Sequence, residues 1–141
     1  MDDPFMLERF VDAQEPVYDR VCAELQQGRK SSHWMWFIFP QIAGLGHSSL
    51  ATKFAISSLE EAKAYLRHTI LGPRLIHCTK LVCDTEGRTI NEILGYPDDL
   101  KFRSSMTLFA HATPDNQVFE DALQKYFEGH YDPLSLERMV A

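Results

Sequence analysis

Long apolar runs are scarce in this 141-residue chain: the longest, Trp34 to Phe39, spans six residues, against the roughly 20 that cross a bilayer. Membrane insertion is therefore not expected. Cysteine is scarce too. The three present, Cys22, Cys78 and Cys83, are odd in number and fit neither a disulfide framework nor a four-ligand zinc spacing. Unpaired thiols suit a reducing compartment, so a cytoplasmic protein without a metal site is the expectation. The amino terminus, Met1-Asp2-Asp3-Pro4, is acidic where a secretory signal needs basic residues. Basic residues are the minority, 14 Lys+Arg against 20 Asp+Glu for a net charge of −6, and they are scattered. Sequence-independent binding to nucleic acid is thereby disfavoured. No alternating β-branched run and no Asn-Gly or Asp-Gly turn argues for strands. Walker, dinucleotide, Gly-x-Ser-x-Gly, His-Glu-x-x-His and helix-turn-helix signatures are missing as well.

What is present is ordinary globular composition, 45% hydrophobic and 24% charged. A chain this long buries roughly 68% of its unfolded surface, enough for one self-sufficient core, so residues 1–141 read as a single helical domain. Apolar spacing is helical almost throughout. Leu7, Phe10 and Val11 form one face after an Asp3-Pro4 start, and Val17, Val21 and Leu25 form another that Gly28 can close. Ser58-x-x-Glu61 and Thr89-x-x-Glu92 have the capping-box pattern. Leu71, Leu75, Cys78 and Val82 suit a helix between them. Phe119, Ala122, Leu123, Tyr126 and Phe127 fill an i, i+3, i+4, i+7, i+8 template ended by Gly129, and Asp132-Pro133 opens a last short helix. His68, His111 and His130 sit near helix ends, where a cation complements the dipole. The fold class read from this is all-α, an irregular compact bundle of about eight or nine short helices.

Two segments hold polar groups that packing does not explain. The first, Gly28 to Ser49, concentrates Lys30, His33, both tryptophans, Gln41 and a Gly44-Leu45-Gly46 loop that runs into a helix capped by Ser48. Ser32 is placed to cap a short aromatic helix, and Pro40 to end it. Indole faces of Trp34 or Trp36 can stack a flat group, Lys30 and His33 donate to an anion, and the glycines and Ser48 can turn backbone N–H groups toward phosphate. The simpler account of the aromatics is core packing; for His33 and Gln41 structural and ligand-contacting roles stand side by side. In the second segment, Asp98, Lys101 and Ser105 fall at i, i+3 and i+7, while Phe102, Met106 and Phe109 face the core. A carboxylate, an ammonium and a hydroxyl in line suit acid–base work, so Asp98, Lys101 and His33 are the catalytic candidates. A solvated helix-terminal ion pair explains the same spacing.

These segments, Lys30-Ser31-Ser32-His33-Trp34-Met35-Trp36-Phe37-Ile38-Phe39-Pro40-Gln41 with Gly44-Leu45-Gly46, Leu71-Gly72-Pro73-Arg74-Leu75 and Lys101 to Phe109, resemble the bacterial family known as domain of unknown function 1810. The resemblance runs from Phe5-Met6-Leu7-Glu8-Arg9-Phe10 to Tyr126-Phe127-Glu128-Gly129 and implies a small, mainly helical fold. It carries over no catalytic residues and no cofactor. Some members bear the label calpastatin, whose inhibitors are disordered chains; the capped amphipathic helices argue against that role here. A looser similarity, to the YbiA-like family, implies ADP-ribose or nucleoside N-glycosidic chemistry, with a base on Trp36 or Trp34, phosphate at Lys30 and the glycine loop, and Asp98 beside an oxocarbenium-like centre. Two expectations follow: a domain that binds or acts on a nucleotide-like or ADP-ribosyl small molecule, or a non-catalytic interaction module that uses the Trp-rich segment to anchor a protein partner. They differ in whether the two segments share one hollow.

Overall fold

Apolar residues at three- and four-residue spacing produce ten α-helices among residues 3–140, the part of the chain that the computed structural model describes. In chain order these are α1 (Glu8–Gln14), α2 (Tyr18–Gln26), α3 (Met35–Ile38), α4 (Ser49–Lys53), α5 (Leu59–Arg67), α6 (Leu71–Asp84), α7 (Ile90–Leu94), α8 (Asp98–Ala110), α9 (Gln117–Phe127) and α10 (Pro133–Val140). The all-α reading holds. The count is slightly higher than the eight or nine that the spacing predicts. The expected acidic opening at Met1 and Asp2 lies outside the described residues. The single β-type contact among them is a parallel bridge between Ile42 and Ile56.

Helix α8 is the centre of the bundle. From Ser104 to Ala110 every residue is buried, as expected for a helix with neighbours on all sides, and α5, α7, α9 and α10 pack against it. Aromatic edges tie it outward: Phe102 meets Phe39 after α3 in a T-shaped pair at 4.9 Å, and Phe109 meets Tyr65 of α5 at 5.3 Å. Tyr65 in turn meets Phe10 of α1 edge-on at 5.1 Å. Such pairs add about 0.5–1.5 kcal/mol each beyond the area they bury.

Several local expectations are corrected by tertiary partners. Asp3 does cap, accepting from the Leu7 and Glu8 N–H groups, but regular helix begins only at Glu8, not at Pro4. The Thr89–Glu92 capping box is complete. At Ser58 only half of it forms: the hydroxyl accepts from Glu61 N–H, while the Glu61 carboxylate turns away to Arg9 and Ser57. Ser32 does not cap α3, because its hydroxyl donates to Glu24. His68 Nδ1 accepts from the N–H groups of Ile70 and Leu71 at the start of α6.

Two arrangements place the site. Ala43 N–H donates to Ile56 O (2.8 Å) and Ile56 N–H to Gln41 O (2.9 Å), which pins both ends of the glycine-bearing loop. On the other side, Arg103 donates to the carbonyls of His130 and Tyr131, Ser104 donates to Asp132, and Asp132 N–H donates to the Thr107 hydroxyl. These bonds draw the entrance of α10 onto α8.

Candidate functional site

The two polar segments meet. Lys30 Nζ lies 3.0 Å from Asp98 Oδ2 with the side chains only 9% and 18% exposed, and Asp98 occupies the first turn of α8, where the dipole favours an anion. The Lys30 N–H also donates to Ile93 O, fixing the segment after α2 against α7. One turn along α8, Lys101 Nζ stands 3.9 Å from Asp98 Oδ1, a much weaker contact, and 5.7 Å from the Trp36 ring. Asp98 is thus committed to Lys30, and Lys101 keeps most of its charge for the space in front of it.

That space is a cleft of about 530 Å³, within the range typical of small-molecule sites. Gln41, Gly44, Leu45, Gly46 and His47 of the pinned loop form one wall. Pro97, Leu100, Lys101, Arg103 and Ser104 at the start of α8 form the floor, and Asp132, Leu134 and Arg138 at α10 form the other wall. Gly44 has φ +98°, a backbone conformation that favours glycine, and the Arg138 guanidinium lies 3.0 Å from where a Cβ would sit. Behind the cleft, Trp36, Gln41, Gly46 and Lys101 help to line a recess with about 20 Å³ of free space, room for one water and not for a ring.

Lys101, Arg103 and Arg138 bring positive charge to one hollow of a chain whose net charge is −6. Among the described residues Asp132 is the only carboxylate in the wall, and its Oδ2 already accepts from the Ser104 and Ser135 hydroxyls and the Ser135 N–H. Two buried polar side chains in the core are well employed: Gln14 bonds Phe37 O, Tyr65 and Arg74, and Glu61 bonds Arg9 and Ser57. In the cleft the half-buried Gln41 amide and the exposed His47 ring and Arg138 guanidinium bond to no protein group among the described residues and face solvent, open to a ligand. Solvent-facing donors in a concave, cation-rich wall are suited to an anionic ligand.

A family model described as "Protein of unknown function (DUF1810)" matches residues 4–139. The chain belongs to the DUF1810 family. A solved structure, that of the conserved hypothetical protein Rv1873 from Mycobacterium tuberculosis, is similar with a TM-score of 0.97 at 57% identity, covering 99% of each chain. No curated protein matches. Membership in DUF1810 brings a fold and no reaction, so chemistry has to come from the cleft itself.

Of the residues singled out in sequence, Gln41, Gly44, Gly46 and Lys101 line the cleft, and Trp36 backs the recess. Lys30 and Asp98 form the ion pair beside it. The others are placed elsewhere. Trp34 is 1% exposed and its indole N–H donates to Glu24 (2.9 Å), so it is core. His33 is exposed outside the cleft lining, and Ser48 is engaged as the cap of α4, accepting from Ala51 N–H. Ser105 is fully buried, its hydroxyl without a partner, because α8 is enclosed on every side at that turn. Sequence reasoning missed His47, Arg103 and Arg138. For Arg138 a signal existed: Leu134 and Arg138, one turn apart, share a face of α10. Cys78 is a core thiol, while Cys22 and Cys83 are half-buried; burial pushes Cys78 up to about 12 and Cys83 to about 11, leaving both protonated near neutral pH.

No helix among the described residues is long and apolar enough to cross a membrane, and no group of three His, Cys, Asp or Glu side chains among them could hold a metal ion.

Proposed function

We propose that this DUF1810 protein is a cytoplasmic small-molecule binder whose cleft takes an organic anion, phosphorylated or carboxylated. The observation that carries the reading is the convergence of Lys101, Arg103 and Arg138 on the unpartnered Gln41 amide in one hollow. Lys101 is the direct donor, Arg138 closes over Gly44, and the Lys30–Asp98 pair keeps the α8 carboxylate from neutralising Lys101. The nucleotide-like or ADP-ribosyl class expected from sequence is supported in its anionic half by these groups. Its stacking half loses Trp34 to the core and finds a recess at Trp36 that is too small for a base. The alternative, an interaction module anchored by the Trp-rich segment, draws less support, since Trp34 is buried and Trp36 and Phe37 are half-buried.

Thermal denaturation against a panel of nucleotides, sugar phosphates and small carboxylates tests the proposal. A binder at a hundredfold excess over its Kd stabilises by about 2.7 kcal/mol, a shift of several degrees. The shift should vanish in Lys101→Met/Arg138→Met, a change of two partly or fully exposed residues. No shift with any anion, or an equal shift in the double variant, would overturn the reading.

A further inference from the structure

A cluster of cations alone accepts any anion, but this cleft has an apolar side. Leu100 and Leu134 are 50% and 59% exposed, and both line the hollow together with Leu45 and Pro97. Pro97 and Lys101 lie one turn apart at the start of α8, as do Leu134 and Arg138 on α10, so each helix sets an apolar residue next to a cation on the same face. Two large apolar side chains left open toward one hollow give an apolar ligand body a surface to cover.

A nucleoside asks for different surroundings. Ribose hydroxyls are commonly held by a carboxylate, and Asp132, the only one in the wall among the described residues, has Oδ2 occupied by two serine side chains and a backbone N–H, which leaves Oδ1 alone to offer. A base needs a slot, and the recess at Trp36 admits about one water. We infer that the cleft selects an amphiphilic anion, a phosphate monoester or carboxylate head on a short apolar body, over nucleotides of equal charge. Lys101, Arg138 and the Gln41 amide hold the head; Leu100 and Leu134 cover the body. The inference rests on the anion site proposed above and narrows it.

Calorimetric titration of the full chain with inorganic phosphate, adenosine monophosphate, hexyl phosphate and hexanoate separates the possibilities. Hexyl phosphate should bind at least about tenfold tighter than inorganic phosphate, the worth of roughly two buried methylenes, and tighter than adenosine monophosphate. Hexanoate, with the same body on a single charge, should fall between hexyl phosphate and inorganic phosphate. Leu100→Ser/Leu134→Ser, which alters exposed residues only, should bring hexyl phosphate down to the level of inorganic phosphate, while Lys101→Met should weaken every anion alike. Adenosine monophosphate binding more tightly than hexyl phosphate, or hexyl phosphate indifferent to the leucine pair, overturns this inference and leaves the anion proposal standing. If none of the four binds, both fall.

Discussion

Glu24 shows what this fold does with a charge it buries. Its carboxylate accepts from the Ser31 and Ser32 N–H groups, the Ser32 hydroxyl and the Trp34 indole. Burial alone would raise its pKa; the donors outweigh burial and hold it at about 2, below an ordinary value of 4.5. A folded value below the unfolded one contributes stability that is present above about pH 4.5 and is lost as pH falls toward 2. Glu24→Gln should therefore cost about 1.5–3 kcal/mol at neutral pH and flatten the acid limb of the stability curve, read as urea midpoints against pH. An unaltered acid limb would contradict the assignment. Lys30 uses its charge differently, by occupying Asp98. In Lys30→Met the Asp98 carboxylate is left to Lys101, whose 3.9 Å contact should close to an ordinary ion pair of about 2.8 Å. Anion affinity should then fall roughly two- to fivefold and return when Asp98→Asn is added. A crystal structure of the single variant and calorimetry on both check the two halves; a Lys101 that stays in place sinks the argument.

Gly72 sets helix propensity against packing. In an open helix Gly→Ala gains about 1 kcal/mol. Here Gly72 is buried in the first turn of α6, and a Cβ would collide with the Leu66 carbonyl of α5. Backbone cannot yield as a side chain does, so Gly72→Ala should instead lower stability by about 1–3 kcal/mol, measured by denaturant unfolding; a stabilised variant would refute the close approach of α5 and α6. Elements whose signals are local were legible in sequence, such as α7 with its Thr89–Glu92 box and α9 with its one apolar face ended by Gly129. Those whose capping groups are claimed from afar were not. Ser32 belongs to Glu24 of the preceding helix, and Glu61 belongs to Arg9 more than fifty residues earlier. A local motif names the groups that can cap; only the packed chain decides which of them are free to do it.

The same divide holds for the whole molecule. That Gln41, Lys101 and the glycine loop carried more polar capacity than packing needs was readable from residue types. That they share a hollow with Arg138 was not, because it depends on Arg103, Ser104 and Thr107 drawing the approach to α10 back onto α8. Trp34 and Trp36 show how fine the distinction is: two residues apart, one is a core side chain tied to Glu24 and the other backs the recess behind the cleft. Their indole N–H groups therefore make a built-in pair of reporters. The most direct test is to follow indole and backbone N–H resonances while hexyl phosphate or inorganic phosphate is added. Saturable shifts at Gly44, Gly46, Lys101 and the Trp36 indole, with the Trp34 indole still, are the predicted result. Shifts centred on Trp34 and His33, or no saturable shift at any of these residues, would contradict an anion-binding cleft.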